Sequence, residues 1–334
     1  MTFNMKILQA FSFSLLVPLL FTNCHRDHSS NIGYVSEGYE VPYTLNHPDT
    51  TFILPRSLNE ISGLAYDPTE DALLGVDDEK GAIFIINKHT GKIEKEIEID
   101  KKNDYEGIEI VDDQIMMLES DGDIHYFPKS HPDQLDKIEN KFTSDNDLEG
   151  IAHIPSSQTI LFACKDEGLE DEDKYTKYIY QAPLIDLEKI TLYSKIDLSD
   201  NFDELSSIDL KKGFFTNIVV SKRLQEFGPS GLAVRPSSEE IYVLSSRGGL
   251  LVILDPIDHK VKSILFLKKS IHVQPEGICF DNAGLLYISN EARGRKAEIH
   301  VYSPKAHVDI LNDSTQNPMK VLETIDSIIA DTTN

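Results

Sequence analysis

The 334 residues lack any basic excess: 56 Asp and Glu stand against 32 Lys and Arg, a formal net charge of −24. No basic stripe is present to displace counterions from phosphates, so the charge balance excludes nucleic acid as a partner. An acidic surface keeps a chain soluble and attracts cations, which bears on partners and not on fold. Cysteine is scarce too, at three. Cys24 ends an apolar leader, Cys164 and Cys279 sit inside apolar runs, and no CxxC pair or Cys/His cluster offers a zinc site. The expectation is two buried thiols acting as small hydrophobes; the alternative is a disulfide joining separate repeats. The apolar run at residues 7–21 is too short for a comfortable membrane span. With Lys6 ahead of it, it reads as an export signal.

A nucleophile–base constellation is also missing. His125, His153 and His272 fall at strand or turn positions with no partner at catalytic spacing, and each reads as a satisfied or exposed histidine. Gly228-Pro229-Ser230-Gly231 is not a hydrolase elbow, because no strand-to-helix context follows it. The acidic run 166–173 lacks the glycine and spacing of an EF-hand and reads as a solvated loop.

What the chain does have is a repeat. Glu60-Ile61-Ser62-Gly63-Leu64-Ala65-Tyr66 returns as Asp104-Tyr105-Glu106-Gly107-Ile108-Glu109-Ile110 and as Asp147-Leu148-Glu149-Gly150-Ile151-Ala152-His153. It returns again as Gly228-Pro229-Ser230-Gly231-Leu232-Ala233-Val234 and as Gln274-Pro275-Glu276-Gly277-Ile278-Cys279-Phe280. Each unit is a turn, then Ser or Glu, then Gly, then a short apolar strand, with a second apolar run after it. The glycines are spaced 44, 43, 81 and 46 residues apart, by subtraction of their numbers. A period of about 44 with several strands per unit predicts an all-β fold, a β-propeller of four-stranded blades. Within the interval of 81, runs at 160–164, 178–182 and 190–196 complete one blade, and the stretches 166–173 and 200–212 read as loops. Residues 214–220 then read as extra strand material without a motif of their own, so five blades are expected, with six as the alternative.

In chain order, residues 1–24 form a lipoprotein-type signal, 25–40 a tether, 41–310 the propeller and 311–334 a tail. The leader closes on Leu20-Phe21-Thr22-Asn23-Cys24 and resembles a bacterial lipoprotein signal, in which the cysteine is lipidated. An ordinary cleaved signal is the alternative, and Asn23 departs from the small residue usual at that position. Residues 43–54 are placed to close the ring by completing the last blade. The tail holds one apolar run, 321–329, which reads as an outer strand or a helix.

The motif series, with its order Ser62, Glu106, Glu149, Ser230 and Glu276 before the glycines, resembles the SdiA-regulated family of bacterial envelope proteins across residues 50–304. More distantly it resembles NHL-repeat propellers. The resemblance implies a five-bladed propeller with a bound calcium ion and no firmly assigned activity.

In a propeller the first strand of each blade lines the central channel, so the residue before each glycine lies at one level. Three Glu and two Ser form a ring there, and the glycines let five backbones crowd together. Carboxylates in a narrow space repel unless neutralised. Oxygen donors without thiol or imidazole point to calcium on Glu106, Glu149 and Glu276, with hydroxyls, carbonyls or water completing the shell. The alternative is a hydrogen-bonding collar. A second polar tier at the ends of the following strands comprises Asp77, Glu119, Lys165, Asp166, Ser246 and Glu291. Asp166 and Glu291 could assist a metal, and Lys165 or Arg247 an anionic ligand; mutual neutralisation is the competing account.

Two functions follow. One is a lipid-anchored cell-envelope binding module, on the periplasmic or surface side of a membrane that is expected to be the outer one, recognising a protein, peptide or glycan. The other is a calcium-dependent hydrolase of lactonase, phosphoesterase or phytase-like type, with one of Glu119, Asp166 or Glu291 as general base. Fold analogy does not choose between them.

Overall fold

Short apolar runs bounded by turn residues pair with their chain neighbours, and in the computed structural model these hairpins stack as five antiparallel sheets. The structure describes residues 31–77, 80–99, 103–169, 175–201, 205 and 214–305. Two strands precede the blades, β1 (Ile32–Val35) and β2 (Thr50–Ile53). Blade one is β3 (Ile61–Asp67), β4 (Ala72–Asp77), β5 (Ala82–Asn87) and β6 (Ile93–Glu98). Blade two is β7 (Tyr105–Val111), β8 (Gln114–Glu119), β9 (Ile124–Pro128) and β10 (Asp136–Ile138). Blade three is β11 (Leu148–Ile154), β12 (Thr159–Cys164), β13 (Lys177–Pro183) and β14 (Thr191–Ile196). After helix α1 (Phe214–Gln225) comes blade four, β15 (Gly231–Val234), β16 (Ile241–Ser245), β17 (Leu250–Leu254) and β18 (Val261–Phe266). Blade five is β19 (Pro275–Phe280), β20 (Leu286–Asn290) and β21 (Glu298–Tyr302), completed from the N-terminal side by β2.

The inner strands β3, β7, β11, β15 and β19 pack each against the next, and β19 returns to β3. The molecule is a five-bladed β-propeller. Its ring is closed by Thr50 pairing with Val301 and Ile53 with Glu298, so the segment 43–54 supplies the closing strand as its position predicts, from its last few residues.

Stacked sheets bury both faces, which is why the strands are apolar throughout. In β5, Ile83 and Ile85 pack between blades one and two, whereas Phe84 and Ile86 pack between blades five and one. The described core is accordingly five clusters, one at each blade–blade seam. Each fully buried Leu, Ile or Phe contributes about 1.5–3 kcal/mol, so the seams and not the hairpins hold the ring.

Two sequence expectations need correction. Residues 214–220 belong to a helix and not to a strand. Their β-branched residues suggest a strand, but Val220, Leu224 and Phe227 recur at helical spacing and pack into the seam between blades three and four. The long interval is thus one blade plus an insertion, and no sixth sheet occurs among the described residues. The expected tether is partly structured, since β1 lies within it as a fifth strand on blade four, with Ile32 opposite Phe266 and Val35 opposite Ser263. Cys164 and Cys279 are free and buried. The leader with Cys24 and the tail 311–334 lie outside the described residues. Among those residues no helix is long and apolar enough to cross a membrane.

Candidate functional site

Each inner strand begins at what is here the upper mouth of the channel, and in all but β15 the pairing slips there. The register skips between Ile61 and Leu64, Tyr105 and Gly107, Leu148 and Gly150, and Pro275 and Ile278. The skipped residues include Ser62, Glu106, Glu149 and Glu276. A bulge takes a side chain out of the regular in–out alternation and re-aims it. The glycine after each is required by crowding: a Cβ on Gly231 would meet the Glu276 carbonyl oxygen at 2.4 Å, and one on Gly277 the Leu64 Cβ at 2.7 Å.

The bulges bring Glu106, Glu149 and Glu276 into one electrostatic group, and a lysine stands among them. Lys165, one residue past β12, pairs with Glu149 and lies 3.4 Å from Asp147. Burial opposes its charge, but Glu149, Asp147 and Glu106 outweigh that and hold the ammonium above the ordinary lysine range. Burial pushes Glu276 up to about 7, against the pull of Lys165 and of hydrogen bonds from Ser246 and Ser230. The Ser230 hydroxyl donates to the Pro275 carbonyl at 2.8 Å and accepts from the Ser246 amide at 3.1 Å, tying blade four to blade five. Ser62 is buried at the same level of blade one.

The residues of the second tier stand at or just past the ends of the second strands. Asp77 pairs opposite Ile61 and Glu119 opposite Tyr105, while Lys165, Ser246 and Glu291 directly follow the ends of β12, β16 and β20. Most of these residues neutralise a neighbour. Lys80 donates to Asp77 at 2.6 Å, Asn103 donates to Glu119, and Arg247 donates twice to Asp166, at 2.5 and 3.3 Å. Glu291 is raised to about 8, by burial first and then by a hydrogen bond with Glu60. A cavity of about 400 Å³ opens above the collar, lined by Lys165, Ser230, Ser246, Arg247, Glu276 and Arg293 among others.

Asp147 and Glu60 escaped the sequence reading. The signal was present, because both stand three residues before a repeat glycine. That column reads Glu60, Asp104, Asp147, Gly228 and Gln274, acidic in the first three blades. Of the histidines, His272 is buried between the Leu45 carbonyl at 2.9 Å and the Tyr302 hydroxyl at 3.0 Å, and burial pushes it down to about 3. It is structural and neutral. His125 stands 2.5 Å from Glu119. Among the described residues, the group of three His, Cys, Asp or Glu side chains whose ligand atoms lie within 4.8 Å of one another is Glu119, Asp121 and Asp123. Lys137 pairs with Asp123 there.

Residues 53–167 match the SdiA-regulated family. The match spans blades one and two and the first half of blade three, and so includes Ser62, Glu106, Glu149 and Lys165. No curated protein matches the chain in sequence. Among solved structures, the chain is similar to one described as a nidogen/laminin complex, at 16% identity and TM-score 0.47, covering 71% of this chain and 74% of that one. Streptogramin B lyase is similar at 15% identity and TM-score 0.41, with 76% and 72% covered. A gluconolactonase, XC5397 from Xanthomonas campestris, is similar at 13% identity and TM-score 0.45, with 80% and 89% covered.

Proposed function

We propose that the protein is a binding propeller of the cell envelope, tethered through a lipidated Cys24 to the periplasmic or surface side of the outer membrane, with its working site at the upper mouth. The observation that carries this reading is the collar itself: three blades supply carboxylates at one level around Lys165, and Glu276 and Ser230 line an open cavity above them. A structural collar alone would need no opening.

Calcium belongs to the same proposal. Carboxylates of Glu106, Glu149 and Glu276 with the Ser230 hydroxyl are all-oxygen donors of the kind calcium takes, and since the ligand atoms of the three carboxylates do not lie within 4.8 Å of one another they would draw together around the ion. Lys165 now supplies the counter-charge, so the ion competes with that ammonium for Glu149. The ligand above the collar is a protein, peptide or glycan offering groups to the arginines at the rim. Calorimetric titration of calcium and magnesium into the mature protein, and into Glu149→Gln, tests this. Calcium binding that the substitution abolishes supports the collar as the metal site. Equal binding by both proteins, or none by either, removes it.

One observation favours the hydrolase alternative. Glu276 at the cavity and Glu291 just past β20 are both raised toward neutrality, which is what a general acid requires. Turnover of a lactone or phosphoester that Glu291→Gln abolishes would establish that reading in place of pure binding.

A further inference from the structure

The opposite end of the channel carries a second cavity, independent of the collar. It holds about 240 Å³ and is walled by all five inner strands, with Leu64, Ile151, Leu232 and Ile278 supplying aliphatic surface. Two residues after each repeat glycine, the blades place Ala65, Glu109, Ala152, Ala233 and Cys279. Four of these side chains are small and one is a carboxylate. Ala65, Ala233 and Cys279 line the cavity with Glu109 and leave it open.

Glu109 is held firmly. Its Oε1 accepts from the Ile110 amide at 2.8 Å, and its Oε2 accepts from the His153 amide at 3.0 Å. Those bonds bridge the inner strands of blades two and three and fix both oxygens at the channel wall. Each oxygen keeps acceptor capacity. No described lysine, arginine or histidine forms an ion pair with it, and burial pushes the carboxyl up to about 7. His153 lines the same cavity, and its Nε2 is buried without a hydrogen-bond partner. Burial also lowers this imidazole below its usual value, so it is neutral at pH 7. Asp112 and Tyr66 are the other ionisable groups on the wall besides Cys279.

A half-buried carboxylate without a cation, an imidazole nitrogen without a partner and an aliphatic wall define one kind of occupant. We propose that the lower mouth binds a small protonated amine with an apolar body, its ammonium donating to Glu109 and to His153 Nε2 while its hydrocarbon fills the space left by the alanines. A divalent ion is a poorer match, because the lining offers only Glu109 and Asp112 as carboxylates amid aliphatic surface, short of the six or more oxygens calcium takes. An anion would face both Glu109 and Asp112 and is excluded by charge.

Amide and methyl NMR of the mature protein, titrated with butylammonium, cyclohexylammonium and benzylammonium, tests the site, with cyclohexanol and cyclohexanecarboxylate as matched controls. At least one amine is expected to shift the Ile110 and His153 amides and the Ile151 and Ile278 methyls. It should bind about tenfold or more tighter than the alcohol, the worth of a charge-assisted hydrogen bond. Glu109→Gln should abolish the difference. Shifts confined to other surfaces, no binding by any of the amines, or amine and alcohol binding alike would overturn the proposal. The amine–alcohol comparison in the unsubstituted protein decides the matter even if the variant does not fold.

Discussion

The Lys165 ammonium lies against the Glu149 carboxylate inside the channel, with Glu106 and Glu276 adding negative charge around the pair. Glu149 is 4% exposed, so its charge depends on that contact. Lys165→Met should therefore destabilise the metal-free protein by about 3 kcal/mol, the cost of leaving a buried carboxylate unpaired. Calcium should restore part of the loss if it takes over the same carboxylates. Urea unfolding with calcium and with chelator checks both parts, and a variant as stable as the parent without metal would show that the pair contributes little.

Gly231→Ala places a methyl where the Glu276 backbone oxygen already stands, and backbone cannot swing aside. The expected loss is about 2 kcal/mol or more, in the range of overpacked cores. Gly75→Ala serves as the comparison, since its Cβ would meet only the ends of the Ile61 and Ile86 side chains, at 3.1 and 3.4 Å, and should cost less. Thermal midpoints of the two variants give the ranking.

Glu109 links the lower cavity to pH. Its carboxyl is raised to about 7, so between roughly pH 4.5 and 7 the folded chain keeps a proton that the unfolded chain has lost. Stability due to this group is present in acid and falls as pH rises through that window, by about 3 kcal/mol in total. His153, lowered by burial, runs the other way and is common to both proteins compared. Unfolding free energies of the parent and Glu109→Gln across this window should diverge in favour of the parent as pH falls. Parallel curves would contradict the assignment.

A chain beginning at Pro55 lacks both outer strands, β1 on blade four and β2 on blade five. It also loses Val41, Tyr43 and Leu45, which pack into the seam between those blades. An open ring exposes the β21 edge, a template for association. Size-exclusion chromatography should show oligomers, and urea unfolding should lose its single transition. A monomer with the parent's midpoint would mean that the closing strand is dispensable.

The ring was legible in the residues because five Ser/Glu–Gly motifs recur, three of their four intervals near 44 residues, and only stacked blades reconcile that period with strands apolar on both faces. The collar was half legible. Its three glutamates stand out in the motif column, and the second tier follows from strand ends. The bulges that aim them do not, since a two-against-one pairing depends on the partner strand. Nor does the Lys165–Glu149 contact, which depends on where one flexible side chain settles. Helix α1 was misread because its local β-branched residues suggest a strand, while its packing against a seam decides otherwise. Glu109 stood in plain sight in a column of small residues, and only the cavity gives it meaning.

The most direct test of the collar is anomalous diffraction from crystals of the mature protein grown with calcium. The account predicts one strong peak among Glu106, Glu149 and Glu276 at the upper mouth, with the Lys165 side chain turned away from Glu149. A collar without a peak and with the Lys165–Glu149 pair intact, or a peak only at Glu119, Asp121 and Asp123, would contradict it.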